Sequence, residues 1–185
     1  MQKRNYKEAS LDIHKAIILD PQMQGPKLLL AKLYFEENKN EKAIEDLNIF
    51  IKASKDKGLL REACFLLGDV LVSSERYEEA AVHYEKMKGK KLSLKQEYYI
   101  NISDVYYRLG EYKKSIKILK DAIVMFKDKS RLKVKIVELS IEEANYSLAK
   151  SLLNNMTEKD IKMAYMNYLR AIILKEQDDL NEMKN

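Results

Sequence analysis

Residues 59–87 read LLREACFLLGDVLVSSERYEEAAVHYEKM, and residues 96–123 read QEYYINISDVYYRLGEYKKSIKILKDAI. Each stretch holds two amphipathic helical patterns separated by a short turn. In the first, Cys64, Leu67, Gly68 and Leu71 lead into Ser74-Glu75-Arg76, and Tyr77, Ala80, Tyr84 and Met87 follow. In the second, Tyr99, Ile102, Ser103 and Tyr106 lead into Leu109-Gly110-Glu111, and Tyr112, Ser115, Leu119 and Ala122 follow. The two stretches align residue for residue. This regularity predicts a repeated helix-turn-helix unit.

The same unit can be traced outward in both directions. Ala9, Ala43, Ala80, Ser115, Ala149 and Met183 recur at steps of 34, 37, 35, 34 and 34 residues. Three residues before them stand Tyr6, Asn40, Tyr77, Tyr112, Tyr146 and Leu180. A period near 34 is too long for one helix and fits two short helices with two turns. Asp20-Pro21 is expected to stop the first helix, and a second helix is expected over about Pro26–Glu37. The charged stretch SKDKG, from Ser54, is expected to be a long connector that absorbs the single 37-residue step. A last helix is expected from about Glu158 to Lys175, with a fragmentary partner from Asp179. The expected units are 1–23 (partial), 24–60, 61–95, 96–129, 130–163 and 164–185 (partial), in one repeat domain over 1–185.

Composition agrees with such an array. The 185 residues are 46% hydrophobic and 34% charged, which supports a core and argues against disorder. Only 5 glycines and 2 prolines occur, which suits helices with short turns and disfavours a many-stranded sheet. The one cysteine, Cys64, forbids an internal disulfide. Its neighbours Ala63, Phe65, Leu66 and Leu67 predict a buried small apolar residue. No apolar run approaches the roughly 20 residues that span a bilayer. The polar start leads straight into an amphipathic pattern, so no signal peptide is visible, and the expected location is cytoplasmic.

The pattern resembles the tetratricopeptide repeat family. Cys64, Leu67-Gly68, Leu71, Tyr77, Ala80 and Tyr84 match its 34-residue unit, as do Tyr99, Ile102, Ser103, Tyr106, Gly110, Tyr112, Ser115 and Ala122. Asp20-Pro21 matches its closing turn. The sequence departs from the family pattern in having no Trp and in lacking the closing Pro in most units. The resemblance implies an all-α, right-handed superhelical solenoid of antiparallel helix-turn-helix repeats. It also implies a concave wall lined mostly by the first helix of each hairpin.

Catalytic signatures are missing. His14 and His83 lie on separate second helices, with no Cys or paired carboxylate beside them, so neither a metal site nor a histidine-based catalytic set is expected. No phosphate-cradling Gly-x4-Gly-Lys-Ser/Thr, HExxH or Gly-x-Ser-x-Gly occurs. Gly68, Gly89 and Gly110 read as packing or turn glycines. Glu78-Glu79 and Glu142-Glu143 read as charges at helix starts, where they favour the helix dipole. The chain is read as non-enzymatic, with no cofactor.

Helical projection of the first helices predicts a peptide-binding groove. Its candidates are Leu28, Leu29, Lys32 and Phe35, then Phe65, Leu66 and Asp69, then Ile100, Asn101, Tyr107 and Arg108, then Arg131 and Lys135. The first half is apolar and the second mixed and basic. Asn101, Arg131 and Lys135 are expected to clamp an acidic segment of the guest. Asp69 would repel a carboxylate, which argues against recognition of a chaperone tail.

The net charge is +5. Five lysines fall between Lys86 and Lys95, and nine Lys or Arg between Lys113 and Lys135. Weak aromatic interleaving argues against nucleic acid. The sequence therefore points to a scaffold for a protein or peptide partner. The alternative is a targeting or regulatory segment of a larger enzyme, with a nucleic-acid-binding array third. The uncapped ends are expected to continue in a longer parent chain or to pair in a homodimer.

Overall fold

In the computed structural model of the chain, described over residues 5–89, 95–157 and 162–182, every regular element is a helix. In order they are α1 (Tyr6–Leu19), α2 (Gln24–Glu36), α3 (Asn40–Ala53), α4 (Lys57–Ser73), α5 (Tyr77–Gly89), α6 (Gln96–Arg108), α7 (Tyr112–Ile123), α8 (Ser130–Glu142), α9 (Tyr146–Asn154) and α10 (Met163–Glu182). They fall into two compact units, Met1–Leu94 and Lys95–Asn185.

Four hairpin turns share one backbone device. Asn38, Glu75, Gly110 and Ala144 each adopt a positive φ, between 52° and 75°. The next residue then donates its N–H five residues back: Lys39 to Tyr34 (2.8 Å), Arg76 to Leu71 (2.9 Å), Glu111 to Tyr106 (2.8 Å) and Asn145 to Ser140 (2.8 Å). This geometry satisfies the last carbonyls of α2, α4, α6 and α8 and reverses the chain into the second helix. Side-chain caps start several helices. The Asn5 carboxamide accepts from Glu8 N–H at 3.3 Å, and the Asn145 carboxamide from Leu148 N–H at 3.3 Å. Asp56 accepts from Gly58 and Leu59 N–H at 2.7 and 2.9 Å.

In the unit of α1 to α5, α2 packs on α1 and α3, and α4 on α3 and α5. Ile13, Leu30 and Leu33 form an inner cluster, with Tyr6, Ile17 and Tyr34 packed beside it. Ala43 and Ala80 are fully buried where second helices approach first helices. Cys64 is fully buried, as its neighbours required. His83 Nε2 donates to Cys64 O at 2.8 Å and ties α5 to α4.

In the unit of α6 to α10, α6 packs on α7, α7 on α8, α8 on α9 and α9 on α10. Ser115 and Ala149 are fully buried. Val137, Tyr146, Ala149, Leu153, Met156, Met166, Leu169 and Ile173 form its cluster. Ser103 and Ser115, both buried, share a hydrogen bond of 2.8 Å between hydroxyls.

Four expectations need correction. The 37-residue step is not a longer loop: only residues 54–56 separate α3 from α4. The Asp56 cap draws Lys57 and Gly58 into the first turn, so the extra residues lengthen α4, which begins before the expected unit edge at 61. No turn separates a partner helix at Asp179, because α10 runs unbroken through Glu182. That stretch holds neither Gly nor Pro to stop it. Glu142-Glu143 close α8 and do not start a helix. Ala9 is exposed, unlike the later small residues. Met183 lies outside the described residues.

Candidate functional site

The predicted groove residues all sit on first helices: α2 and α4 in one unit, α6 and α8 in the other. On α2, Leu28 is only 3% exposed and belongs to the core, so it offers nothing to a guest. The projection misplaced it because Leu28, Leu29 and Leu30 are consecutive apolar residues, and hydropathy alone does not choose among them. Leu29 is the exposed one, at 51%. Phe35 on α2 and Phe65 and Leu66 on α4 are half-buried. Lys32 pairs with Glu62 of α4, a carboxylate the sequence reading had not singled out. Asp69 reaches solvent, yet the protein around its carboxyl strips away enough water to push its pKa above the usual carboxylate range.

In the second unit the same kind of face is charged, and its charges are matched. Arg131 of α8 pairs with Glu97 of α6. Lys135 of α8 pairs with Asp104 of α6 at 2.5 Å. A backbone hydrogen bond, and after it the hydrogen bond and positive charge of Arg131, pull the Glu97 carboxyl below its ordinary range. Both cations of the expected acid clamp already face carboxylates one helix away. The signal for these pairs is their spacing of about one repeat, 34 residues for Glu97–Arg131 and 31 for Asp104–Lys135.

Two tyrosines extend the series on α8. Tyr107 of α6 bonds to Glu142, and its pKa is pushed up to about 12, first by desolvation and then by that bond. Tyr165 of α10 donates to Glu138 at 2.6 Å, and this bond is the main cause of a pKa also near about 12. Ile100 and Asn101 are half-buried, and Arg108 is exposed. Glu142 and Tyr165 were missed by the sequence reading.

Two concave volumes lie elsewhere. One of about 390 Å³ is bounded by Ile44 and Ile51 of α3, Leu67 of α4 and Val82 and His83 of α5. Another of about 290 Å³ lies among α1, α2 and α3, beside Ile17, Leu30, Phe50 and Asp46. Neither is lined by a predicted groove residue. Both histidines act as local donors: His14 Nδ1 bonds to Ser10 O at 2.6 Å, and His83 bonds to Cys64 O. Among the described residues no group of three or more His, Cys, Asp or Glu is placed to hold a metal ion, and no helix is long and apolar enough to cross a membrane.

The family model described as "Tetratricopeptide repeat" matches residues 62–87 and 96–125, the α4–α5 and α6–α7 hairpins. Two of the chain's hairpins, α4–α5 and α6–α7, carry tetratricopeptide repeats. Solved structures, one of them described as a TPR protein, share the fold of the chain. YrrB, described as a TPR protein with an unusual peptide-binding site, is 19% identical, with 90% of this chain and 84% of that one covered and a TM-score of 0.62. MamA is 18% identical over 96% of this chain and 92% of that one, with a TM-score of 0.63. Pseudomonas aeruginosa pilF is 16% identical over 97% and 84%, with a TM-score of 0.66. The expected class, an all-α solenoid of antiparallel helix pairs, is the one these structures share. No curated protein sequence matches the chain.

Proposed function

We propose that the chain is a non-enzymatic scaffold that holds a protein or peptide segment against the faces of its first helices. The observation that carries this reading is the contrast between apolar and charged groups on those faces. The cations at Lys32, Arg131 and Lys135 are already paired with carboxylates of neighbouring first helices, while Leu29, Phe35, Phe65 and Leu66 keep apolar surface open. Affinity on such a surface comes from burying those side chains, and the Lys32–Glu62 pair beside them contributes orientation and register. The guest is therefore a segment with apolar anchors, not one held by a terminal carboxylate. The peptide-binding site described for YrrB supports this reading by likeness of fold.

The test selects peptides on the purified chain from a displayed library, then measures their binding to the double variant Phe65→Glu/Leu66→Glu. Both side chains are half-buried on α4, so helicity is followed in parallel. Loss of binding with helicity kept is expected. Undiminished binding by a well-folded variant removes the first-helix face of α4 as the site.

A further inference from the structure

We infer that the outward face of α7 is a docking surface for an anionic lipid bilayer. Lys113, Lys117 and Lys120 recur at helical spacing, and Val124 continues the row as a residue of αR conformation that caps the helix. The four side chains line one stripe about 16 Å long. All three lysines are exposed, and among the described residues none of them takes part in an ion pair or hydrogen bond. At the end of the row two apolar side chains stand in water: Val124 is 81% exposed and Met125 62%. Beyond them the chain carries Lys127, also exposed.

The carboxylates nearby are mostly engaged elsewhere. Glu111 pairs with Lys114 at 3.7 Å, and Lys114 also lies over the Tyr106 ring. Asp128 accepts from Ser130 N–H and Oγ at the start of α8. Asp121 lies on the flank of the row.

The fold does not require these lysines. At the corresponding positions α5 has Glu78, Val82 and Glu85, and α3 has Glu41, Glu45 and Asn48. The cationic row is therefore an addition to the repeat.

Charge complementarity selects an anionic partner. The shape selects an extended surface over a peptide, since neither cavity described above includes these residues. A row of lysines ending in exposed apolar groups suits a bilayer: the ammonium groups meet anionic headgroups while Val124 and Met125 enter the acyl boundary. Each signal alone is weak, and together they give reversible attachment.

The whole chain is sedimented with vesicles of equimolar phosphatidylcholine and phosphatidylserine, and with vesicles of phosphatidylcholine alone. Sedimentation is expected only with the anionic vesicles, and is expected to weaken as salt rises. The variant Lys113→Gln/Lys117→Gln/Lys120→Gln should bind on the order of 100-fold more weakly, from about fivefold per lysine. The variant Val124→Asp/Met125→Asp should also lose binding. All five residues are exposed, and circular dichroism checks that the variants keep their helices. No affinity for anionic vesicles, equal affinity for neutral ones, or unchanged binding by either variant overturns the inference. Binding to polyuridylate RNA that the lysine variant abolishes, without vesicle binding, overturns it in favour of nucleic acid.

Discussion

Where α4 crosses α5, the bare Cα of Gly68 faces the buried ring of Tyr84. Where α6 crosses α7, the corresponding residue is Ser103, which meets Ser115, and Leu119 stands in the place of Tyr84. Both crossings fill the same space. The first does so by making one partner as small as a residue can be and the other large. The second uses two medium groups and must satisfy their hydroxyls. The α2–α3 hairpin follows the same arithmetic, with Ala31 and Leu47 at the corresponding positions, while α8–α9 carries the larger pair Val137 and Leu153. In three of the four hairpins, volume at the crossing is thus set jointly across two helices, not residue by residue.

The most damaging change to this arrangement is a methyl group at Gly68. A Cβ there would lie 2.9 Å from Tyr84 Cε1 and nearer still to its Cζ and Oη. Tyr84 is fully buried, so its ring can move away only by displacing packed neighbours. Gly68→Ala is expected to destabilise by about 2 kcal/mol despite the better helix propensity of alanine. Adding Tyr84→Leu should recover much of that loss, because the pair then resembles Ala31 with Leu47. Urea midpoints of the single and double variants measure the coupling. Additive effects would show that the ring is not what makes the glycine necessary.

The second crossing fails differently. Ser103→Ala leaves the Ser115 hydroxyl buried without its partner and should cost about 1.5 kcal/mol. Ser103→Ala/Ser115→Ala removes both hydroxyls and should lie closer to the wild-type midpoint than the single variant. If the double variant is the worse of the two, the hydroxyl pair contributes more than mutual satisfaction, and the comparison with the Gly68 crossing has to be redrawn.

The turns of these two hairpins differ as well. Glu75 and Gly110 hold the same left-handed conformation, with φ of 57° and 75°. Only the glycine adopts it without a steric penalty. Glu75→Gly is expected to stabilise by about 1 kcal/mol, and Gly110→Ala to destabilise by a similar amount, both read from thermal midpoints. Equal and opposite shifts would show that the backbone device, and not the Glu75 side chain, sets the first turn.

The turn also shows where the sequence stops being readable. Buried small residues, aromatic partners and the 34-residue recurrence locate the helices, because each expresses burial at a helical period. Glu75 and Ala144 carry no mark of a left-handed residue, whereas Gly110 and Asn38 are of the types that adopt that conformation most readily. The pairs between first helices were hidden for another reason. Glu97 and Arg131, or Lys32 and Glu62, are ordinary surface charges until folding brings two helices side by side. Leu28 and Leu29 could not be told apart, since one step along an apolar run separates core from surface. The length of α4 escaped because a single capping residue, Asp56, decided whether a charged stretch joined the helix or the loop.

The smallest expected effect lies at a pair of corresponding positions, Val72 of α4 and Tyr107 of α6. Tyr107 is protonated in the folded chain up to about 12, because desolvation and the bond to Glu142 both oppose the phenolate. In the unfolded chain it ionises near the ordinary value of 10.0. A raised folded pKa means that the stabilisation is fully present below about pH 10 and disappears as pH climbs through the folded value. The wild type should therefore lose thermal stability between about pH 10 and pH 12 more steeply than Tyr107→Phe, while the two run nearly parallel from neutral pH to about pH 9. Tyrosinate absorbance in the folded chain supplies an independent reading, because the variant should lack one late-titrating group. Coincident profiles above pH 10 would place the phenol in water, free of Glu142, and would take Tyr107 out of the series of contacts that links α6 to α8.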